Sequence, residues 1–406
     1  MRILVFSQGF YPHGGGAELA TWQYSRLLDA NGFETRIVTR QFPGEPSVQF
    51  VGKRTVIYRI PMRTVGTYDE LQSRYDDLLN IGVLGTSFVN RLFSESDVVY
   101  LPSQWYSSIP LARIHRKPVV VHVHAYDLTC RLSQMYDLVE QGVRPASRKA
   151  FLIHEMIERR SPVTVAISSM VNELFSKYYI AAGLLADAFV FVSNAQMNLV
   201  LSRLPQIKNK GRVIYNPCPE RALVETRHKG IGYFGGRNLA KGFNVFVRAL
   251  QSLNPRGIVE AYMTMTSAQP MRKEFDNGVS INFLPKLKQD DFRKMMTKLS
   301  VGVVPSLWPE TWGYALMDSI LYGKLVIASN IGGMPEMVEG LRSGVRLVKP
   351  GDSEELADAL DSFLAIDVEQ AAEIGAHNRD FILKRFDNKR SVESLIRVFH
   401  EAMAKK

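Results

Sequence analysis

The residues best suited to chemistry in this 406-residue sequence lie in one block. It reads Val303-Val304-Pro305-Ser306-Leu307-Trp308-Pro309-Glu310-Thr311-Trp312-Gly313-Tyr314-Ala315-Leu316-Met317-Asp318, and a second stretch follows at Gly332-Gly333-Met334-Pro335-Glu336. The pattern predicts a buried strand ending at Pro305, a turn carrying Glu310, and a helix that starts near Gly313. Amides at such a start (Trp312, Gly313, Tyr314) lack intrahelical acceptors and sit at the positive end of the helix dipole, so they suit an anion. Carboxylates accept hydrogen bonds from sugar hydroxyls. Eight residues on a helix turn by about 800°, which places Asp318 within roughly 80° of Glu310, so both can face one ligand. A lone Glu-Xaa-Xaa-Gly, by contrast, is more often a helix cap that meets the macrodipole.

Three further clusters carry possible chemistry. Gly235-Gly236-Arg237 followed by Lys241-Gly242 puts two cations in a glycine-rich turn. Two cations and helix-start amides can stabilise negative charge, although an Arg and a Lys four apart are usually solvated surface. Phe10-Tyr11-Pro12-His13-Gly14-Gly15-Gly16-Ala17-Glu18 is a loop between strand and helix whose Gly15 and Gly16 allow close backbone approach to phosphate or sugar. A dinucleotide site fails there, because Leu19 stands where the third glycine is needed. Val119-Val120-Val121-His122-Val123-His124-Ala125-Tyr126-Asp127 puts His122 and His124 on one strand face, where packing alone accounts for one of them. No third ligand at metal-site spacing joins His124 and Asp127, so no metal is expected.

Taken together, these segments resemble the GT4-like retaining glycosyltransferases over about residues 3–340. The family carries a Pro-Ser element, two Glu residues separated by seven, and a downstream Gly-Gly-Xaa-Pro-Glu. The resemblance implies that Glu310 contacts the transferred sugar and Asp318 the ribose hydroxyls. It also implies that Arg237 and Lys241 bind the donor diphosphate, with the amides of Trp312, Gly313 and Tyr314 beside them. The Gly14–Gly16 loop, with Gly15 and Gly16, resembles the family's loop lining a donor–acceptor cleft, and His124 matches the His of its His-Xaa-Xaa-Asp strand end. His122 is then a packing residue. The chain departs from the family at Asp318, where Asp replaces Glu, and in an Arg237–Lys241 interval one residue short.

The elements that must position these residues alternate in type. An apolar run at 3–6 precedes the glycine loop, a helix is expected over 17–30, and further strands over 35–39, 97–101, 118–123, 163–167 and 188–192. Asn216-Pro217 marks a junction, after which the alternation restarts with strands at 230–234, 259–263, 280–283, 302–305, 325–328 and 345–347. Helices are expected over 244–253 and 354–364. Two successive βα arrays predict an α/β protein of two doubly wound, Rossmann-like domains facing across a cleft. The resemblance names this arrangement GT-B. Expected boundaries are 1–212 for the acceptor domain, 213–385 for the nucleotide-sugar domain, and 386–406 for a C-terminal helix returning to the first.

Composition agrees with a folded enzyme, at 46% hydrophobic and 22% charged residues. Two cysteines, Cys130 and Cys218, exclude a disulfide framework. No run approaches the ~20 apolar residues of a membrane span, and the first apolar run is too short for a signal-peptide core, so a cytoplasmic chain is expected. A net charge of +10 leaves room for anionic substrates or peripheral contact with an anionic membrane. No helical Lys/Arg cluster, zinc-finger spacing or RNP-like aromatic run supports nucleic-acid binding. The expected function is metal-independent transfer of a hexose from a nucleotide sugar to a glycan, lipid-linked or small-molecule hydroxyl, with no cofactor. An epimerase or phosphorylase on the same fold, and a non-catalytic nucleotide- or glycan-binding protein, remain alternatives.

Overall fold

Short apolar runs rich in Val, Ile and Leu form the central strands of two sheets, each covered by helices. The computed structural model describes residues 1–63, 77, 80–130, 135–157, 174, 176–255, 257–265, 269–285 and 287–405. Its contacts divide the chain into two units, Met1–Pro217 with Asp387–Lys406, and Cys218–Phe386.

In the first unit, the strands are β1 (Arg2–Phe6), β2 (Glu34–Arg40), β3 (Val48–Val51), β4 (Thr55–Ile60), β5 (Val98–Leu101), β6 (Val119–Val123), β7 (Ala188–Phe191) and β8 (Gly211–Val213). They lie in the order β3-β4-β2-β1-β5-β6-β7-β8, and only β3 runs antiparallel to its neighbour. The β3–β4 hairpin was not expected from sequence. Its turn uses Gly52 at φ +65°, and Asp29 accepts hydrogen bonds there from the amides of Lys53 and Arg54 (3.1 and 2.5 Å). The expected strand over 163–167 lies outside the described residues.

The helix Asn388–Ala404 belongs to this unit's core. Val392, Leu395, Val398 and Phe399 are buried with Ile3, Val5, Tyr100 and Val190, and Phe399 meets Tyr100 edge-on at 5.3 Å. The junction between units falls at Pro217/Cys218, beyond the 212/213 boundary expected from sequence. Ile214 still pairs with Phe191 O (2.8 Å) and Asn216 with His124 (3.2 Å), which holds this stretch to the first unit.

The second unit contains β9 (Gly230–Tyr233), β10 (Val259–Met265), β11 (Met271–Glu274), β12 (Val279–Pro285), β13 (Leu299–Val304), β14 (Leu325–Ser329) and β15 (Val345–Val348). Their order is β11-β12-β10-β9-β13-β14-β15, with β11 the antiparallel edge. The core packs Phe246, Leu250, Leu356 and Leu360 of two helices on Ile231, Ala261, Val301 and Ile327 of the sheet. Among the described residues, no helix is long and apolar enough to cross a membrane.

Candidate active site

In the second unit, successive connections leave β9 toward β10 on one side and reach β13 on the other. A reversal of this kind opens a crevice outside the carboxyl ends of the two strands, where ligands of open α/β sheets bind. The loop after β9 (residues 234–242) and the loop after β13 (residues 305–313) meet there. Ala240 O accepts from the amides of Leu307 and Trp308 (2.8 and 3.3 Å), which stitches the loops together. Gly242, at φ +82°, lets them close, since a Cβ there would lie 1.9 Å from Pro305 O. As a result Lys241 Nζ stands 3.9 Å from Glu310 Oε1.

Glu310 is 8% exposed and held from several directions. Ser306 Oγ and Trp308 Nε1 both donate to Oε1, each at 2.9 Å. Among the described residues, no group hydrogen-bonds Oε2. The backbone is fixed as well, because Gly333 N–H donates to Glu310 O at 2.8 Å. Gly332, at φ +64°, makes that approach possible: a Cβ would meet Glu310 O at 2.3 Å.

One expectation is corrected here. The helix begins only at Tyr314, behind Gly313 at φ +93°, so Glu310 lies in the preceding loop and shares no helix face with Asp318. The angular argument linking the two acids therefore fails. Asp318, within the helix Tyr314–Leu321, meets Arg221 instead, through Nε–Oδ1 (2.9 Å) and Nη2–Oδ2 (3.2 Å). Burial pushes the Asp318 carboxyl above its ordinary value, and Arg221 opposes that shift. Arg221 also lies over the ring of Tyr322, at 5.9 Å.

The other residues expected in this unit fall as follows. Arg237 is exposed, with its guanidinium 5.8 Å from the ring of Phe243. Trp312 is 2% exposed and packs edge-on against Phe386 at 5.0 Å, so its ring serves the core. Gly313 and Tyr314 open their helix, which has no side-chain cap and no acid in its first turn. The helix Phe243–Ser252, which follows Lys241-Gly242, starts in the same way. Neither positive dipole end is therefore met by an acid from the first turn of its own helix.

In the first unit, both imidazole nitrogens of His124 have partners. Nδ1 donates to Pro102 O (2.8 Å) and Nε2 faces the Asn216 side-chain amide (3.2 Å). Burial lowers its pKa, against the raising effect of the Pro102 carbonyl, so the ring is neutral at pH 7. His122 is 1% exposed, bonded to Tyr100 Oη at 2.6 Å, and held well below the ordinary histidine value by burial and by His124. It is a packing residue, as expected. The glycine loop differs in charge from the helix starts of the second unit. The Gly15 amide donates to Glu18 Oε2 at 2.7 Å at the start of the helix Gly16–Ala30, so a carboxylate already occupies that N-terminus. This loop is suited to a neutral hydroxyl more than to a phosphate.

Sequence reasoning did not assign roles to Ser306, Trp308, Arg221 or Asn216. Ser306 and Trp308 precede Glu310 by four and two residues and stand in the quoted block. Arg221 is remote from Asp318 in sequence, and no local pattern signals the pair.

A family profile described as Glycosyltransferase Family 4 matches residues 14–220, more than half of the chain. The chain belongs to this family. A second profile, Glycosyl transferases group 1, matches residues 228–365, so the transferase signal continues through the second unit. An uncharacterized 42.6 kDa protein from the cps region of Klebsiella pneumoniae is 24% identical over 54% of this chain and 60% of its own length. Spore coat protein SA of Bacillus subtilis is 23% identical over 60% of this chain and 74% of its own. Among solved structures, sucrose-phosphate synthase from Thermosynechococcus elongatus matches with TM-score 0.73 at 16% identity, covering 100% of both chains. Anabaena HepE, in complex with UDP and glucose, matches with TM-score 0.64 at 18% identity, covering 98% of this chain and 99% of its own. The glycosyltransferase thus has the GT-B fold of these enzymes.

Proposed function

We propose that this glycosyltransferase moves a hexose from a nucleoside-diphosphate sugar to a hydroxyl of a glycan, lipid-linked or small-molecule acceptor, with retention at the anomeric carbon. The observation that supports it best is the arrangement around Glu310 at the β9/β13 crevice: Ser306, Trp308 and Lys241 gather on Oε1, and Oε2 is left for a ligand. In this reading Oε2 accepts from a hydroxyl of the transferred sugar. The acceptor oxygen bonds to the anomeric carbon as the bond from that carbon to the phosphate oxygen breaks. The acceptor proton passes to a donor phosphate oxygen, and the nucleoside diphosphate leaves.

Lys241, Arg237 and the amides at Gly313 and Tyr314 stabilise the developing diphosphate charge, so the step proceeds without a metal. Asp318 retains two lone pairs outside the Arg221 fork, and these accept from the ribose hydroxyls. In the first unit, His124 and the Gly15–Gly16 backbone are the groups proposed for sugar hydroxyls, His124 through Nε2 in place of its Asn216 contact. The net charge of +10 is compatible with peripheral contact with an anionic membrane that carries a lipid-linked acceptor.

UDP-glucose is the donor to test first, because the Anabaena relative was solved with UDP and glucose. Nucleotide release is followed with and without EDTA. Glu310→Gln and Lys241→Ala should each lower turnover by about 100-fold or more while melting temperatures hold, the scale on which single stabilising contacts act. Near-normal turnover in both variants overturns the assignment, and inhibition by EDTA overturns metal independence.

A further inference from the structure

The rule that locates the Glu310 crevice also applies to the first unit. Its strand order reverses at β1, with β2 on one side and β5 on the other, so a crevice is expected outside the carboxyl ends of β1 and β5. Gln8 lies there, two residues beyond β1, and is 4% exposed. Its main chain is fully engaged. The amide donates to Ser103 Oγ (3.3 Å), and the carbonyl accepts from the Arg40 amide (3.3 Å) and the Thr39 hydroxyl (3.5 Å). Its side chain is not: among the described residues, neither Oε1 nor Nε2, both buried, has a hydrogen-bond partner. An amide buried and unpaired at both ends is costly, and native structures rarely keep one without a use.

We propose that Gln8 is an acceptor-recognition residue of this transferase, and that it reads two adjacent hydroxyls of a neutral pyranoside. This rests on the transferase reading above. The chemistry fits the residue, because one amide oxygen accepts from a hydroxyl while the neighbouring NH₂ donates to the next hydroxyl oxygen. Ser103 Oγ, which accepts from the Gln8 main-chain amide, lies 3.2 Å from Ser7 Oγ, and Ser7 Oγ donates to Gly9 O at 2.6 Å, so two hydroxyls stand beside the Gln8 backbone. A site that hydrogen-bonds a substrate hydroxyl discriminates strongly against analogues lacking it, because the buried amide is then left unpaired.

The test uses the full chain and Gln8→Met, which keeps length and removes both polar ends. Melting temperature is measured alone, with methyl α-D-glucopyranoside, methyl β-D-galactopyranoside or methyl α-D-mannopyranoside at ~100 mM, and separately with UDP. Sugars also stabilise proteins by exclusion from the surface, but that effect is common to both proteins. Without sugar, Gln8→Met should melt about 3 °C or more above the wild type, since an unpaired amide has been removed. At least one glycoside should raise the wild-type melting temperature by about 2 °C more than that of the variant. Equal glycoside shifts in the two proteins overturn the proposal. So does a variant that melts below the wild type, which would show that the amide is paired within the fold. A UDP shift reports on the donor site alone, so loss of that shift counts against the transferase reading and leaves the glycoside result to be judged separately.

Discussion

Trp308→Phe removes one hydrogen bond from Glu310. The indole Nε1 donates to Oε1 at 2.9 Å, while the ring is 8% exposed and packs in the loop after β13. Phenylalanine keeps an aromatic ring there and deletes the donor. A hydrogen bond to a charged group contributes about 1.5–3 kcal/mol. Ser306 Oγ and Lys241 still hold the same oxygen, so only part of that is expected in the transition state. A loss of about 0.7–1.4 kcal/mol corresponds to a roughly 3- to 10-fold fall in kcat.

The assay is steady-state nucleotide release against donor concentration, in wild type, Trp308→Phe, Glu310→Gln and the double variant. If the indole acts by orienting Glu310, kcat falls while the donor KM changes little. The same substitution in the Glu310→Gln background should then cost much less, a coupling that a double-mutant cycle reads directly. Equal losses in both backgrounds would refute the reasoning, because the indole would then act independently of the carboxylate. A rise in KM at constant kcat would refute it as well, since that describes a donor-binding contact.

Other predictions follow from the packing around the site. Gly332→Ala should lower stability by about 1–3 kcal/mol and abolish most turnover, since the new Cβ would press on Glu310 O at a φ of +64°; thermal melts and nucleotide release check both. Arg221→Leu leaves the largely buried Asp318 carboxylate without its fork and should cost about 1–3 kcal/mol, with a rise in donor KM, measured by urea unfolding and kinetics. Lys324, fully buried against Val224 O and Thr226 Oγ1, has its pKa lowered to about 8 by burial. Between pH 8 and 10.5 the unfolded chain therefore binds more protons than the native one, so stability gains with rising pH, by roughly 3 kcal/mol. Lys324→Met should lack this gain, and parallel unfolding curves at pH 7.5 and 10.5 that move together in both proteins would exclude it.

Local chemistry was legible in the sequence, and long-range pairing was not. The central strands could be read from their apolar runs, because a strand buried on both faces needs no alternation, and the helix Gly16–Ala30 from its flanking glycines. The β3–β4 hairpin was readable in principle, since Val48–Val51 and Thr55–Ile60 flank a turn containing Gly52, but β3 is exposed and carries a weak apolar signal. Glu310 and Lys241 could be selected by residue type, spacing and family resemblance. Their 3.9 Å approach could not, because it depends on the strand order that sets β9 beside β13 and on the close contact at Gly242.

Sequence alone also determined the family of the chain, the residue types available for phosphate and hydroxyl recognition, and the glycines that particular turns require. Tertiary structure decided how those groups are used. It took Glu310 off the helix and fixed one of its oxygens, gave Asp318 an arginine from a distant segment, put Glu18 on the Gly15 amide, and left the Gln8 amide unpaired. The physical reason is common to all four. A side chain's partners are set by which backbone segments the sheet order brings together, and hydrogen bonds act only over about 3 Å. Local sequence fixes the donors and acceptors a segment offers, and the fold fixes which of them meet.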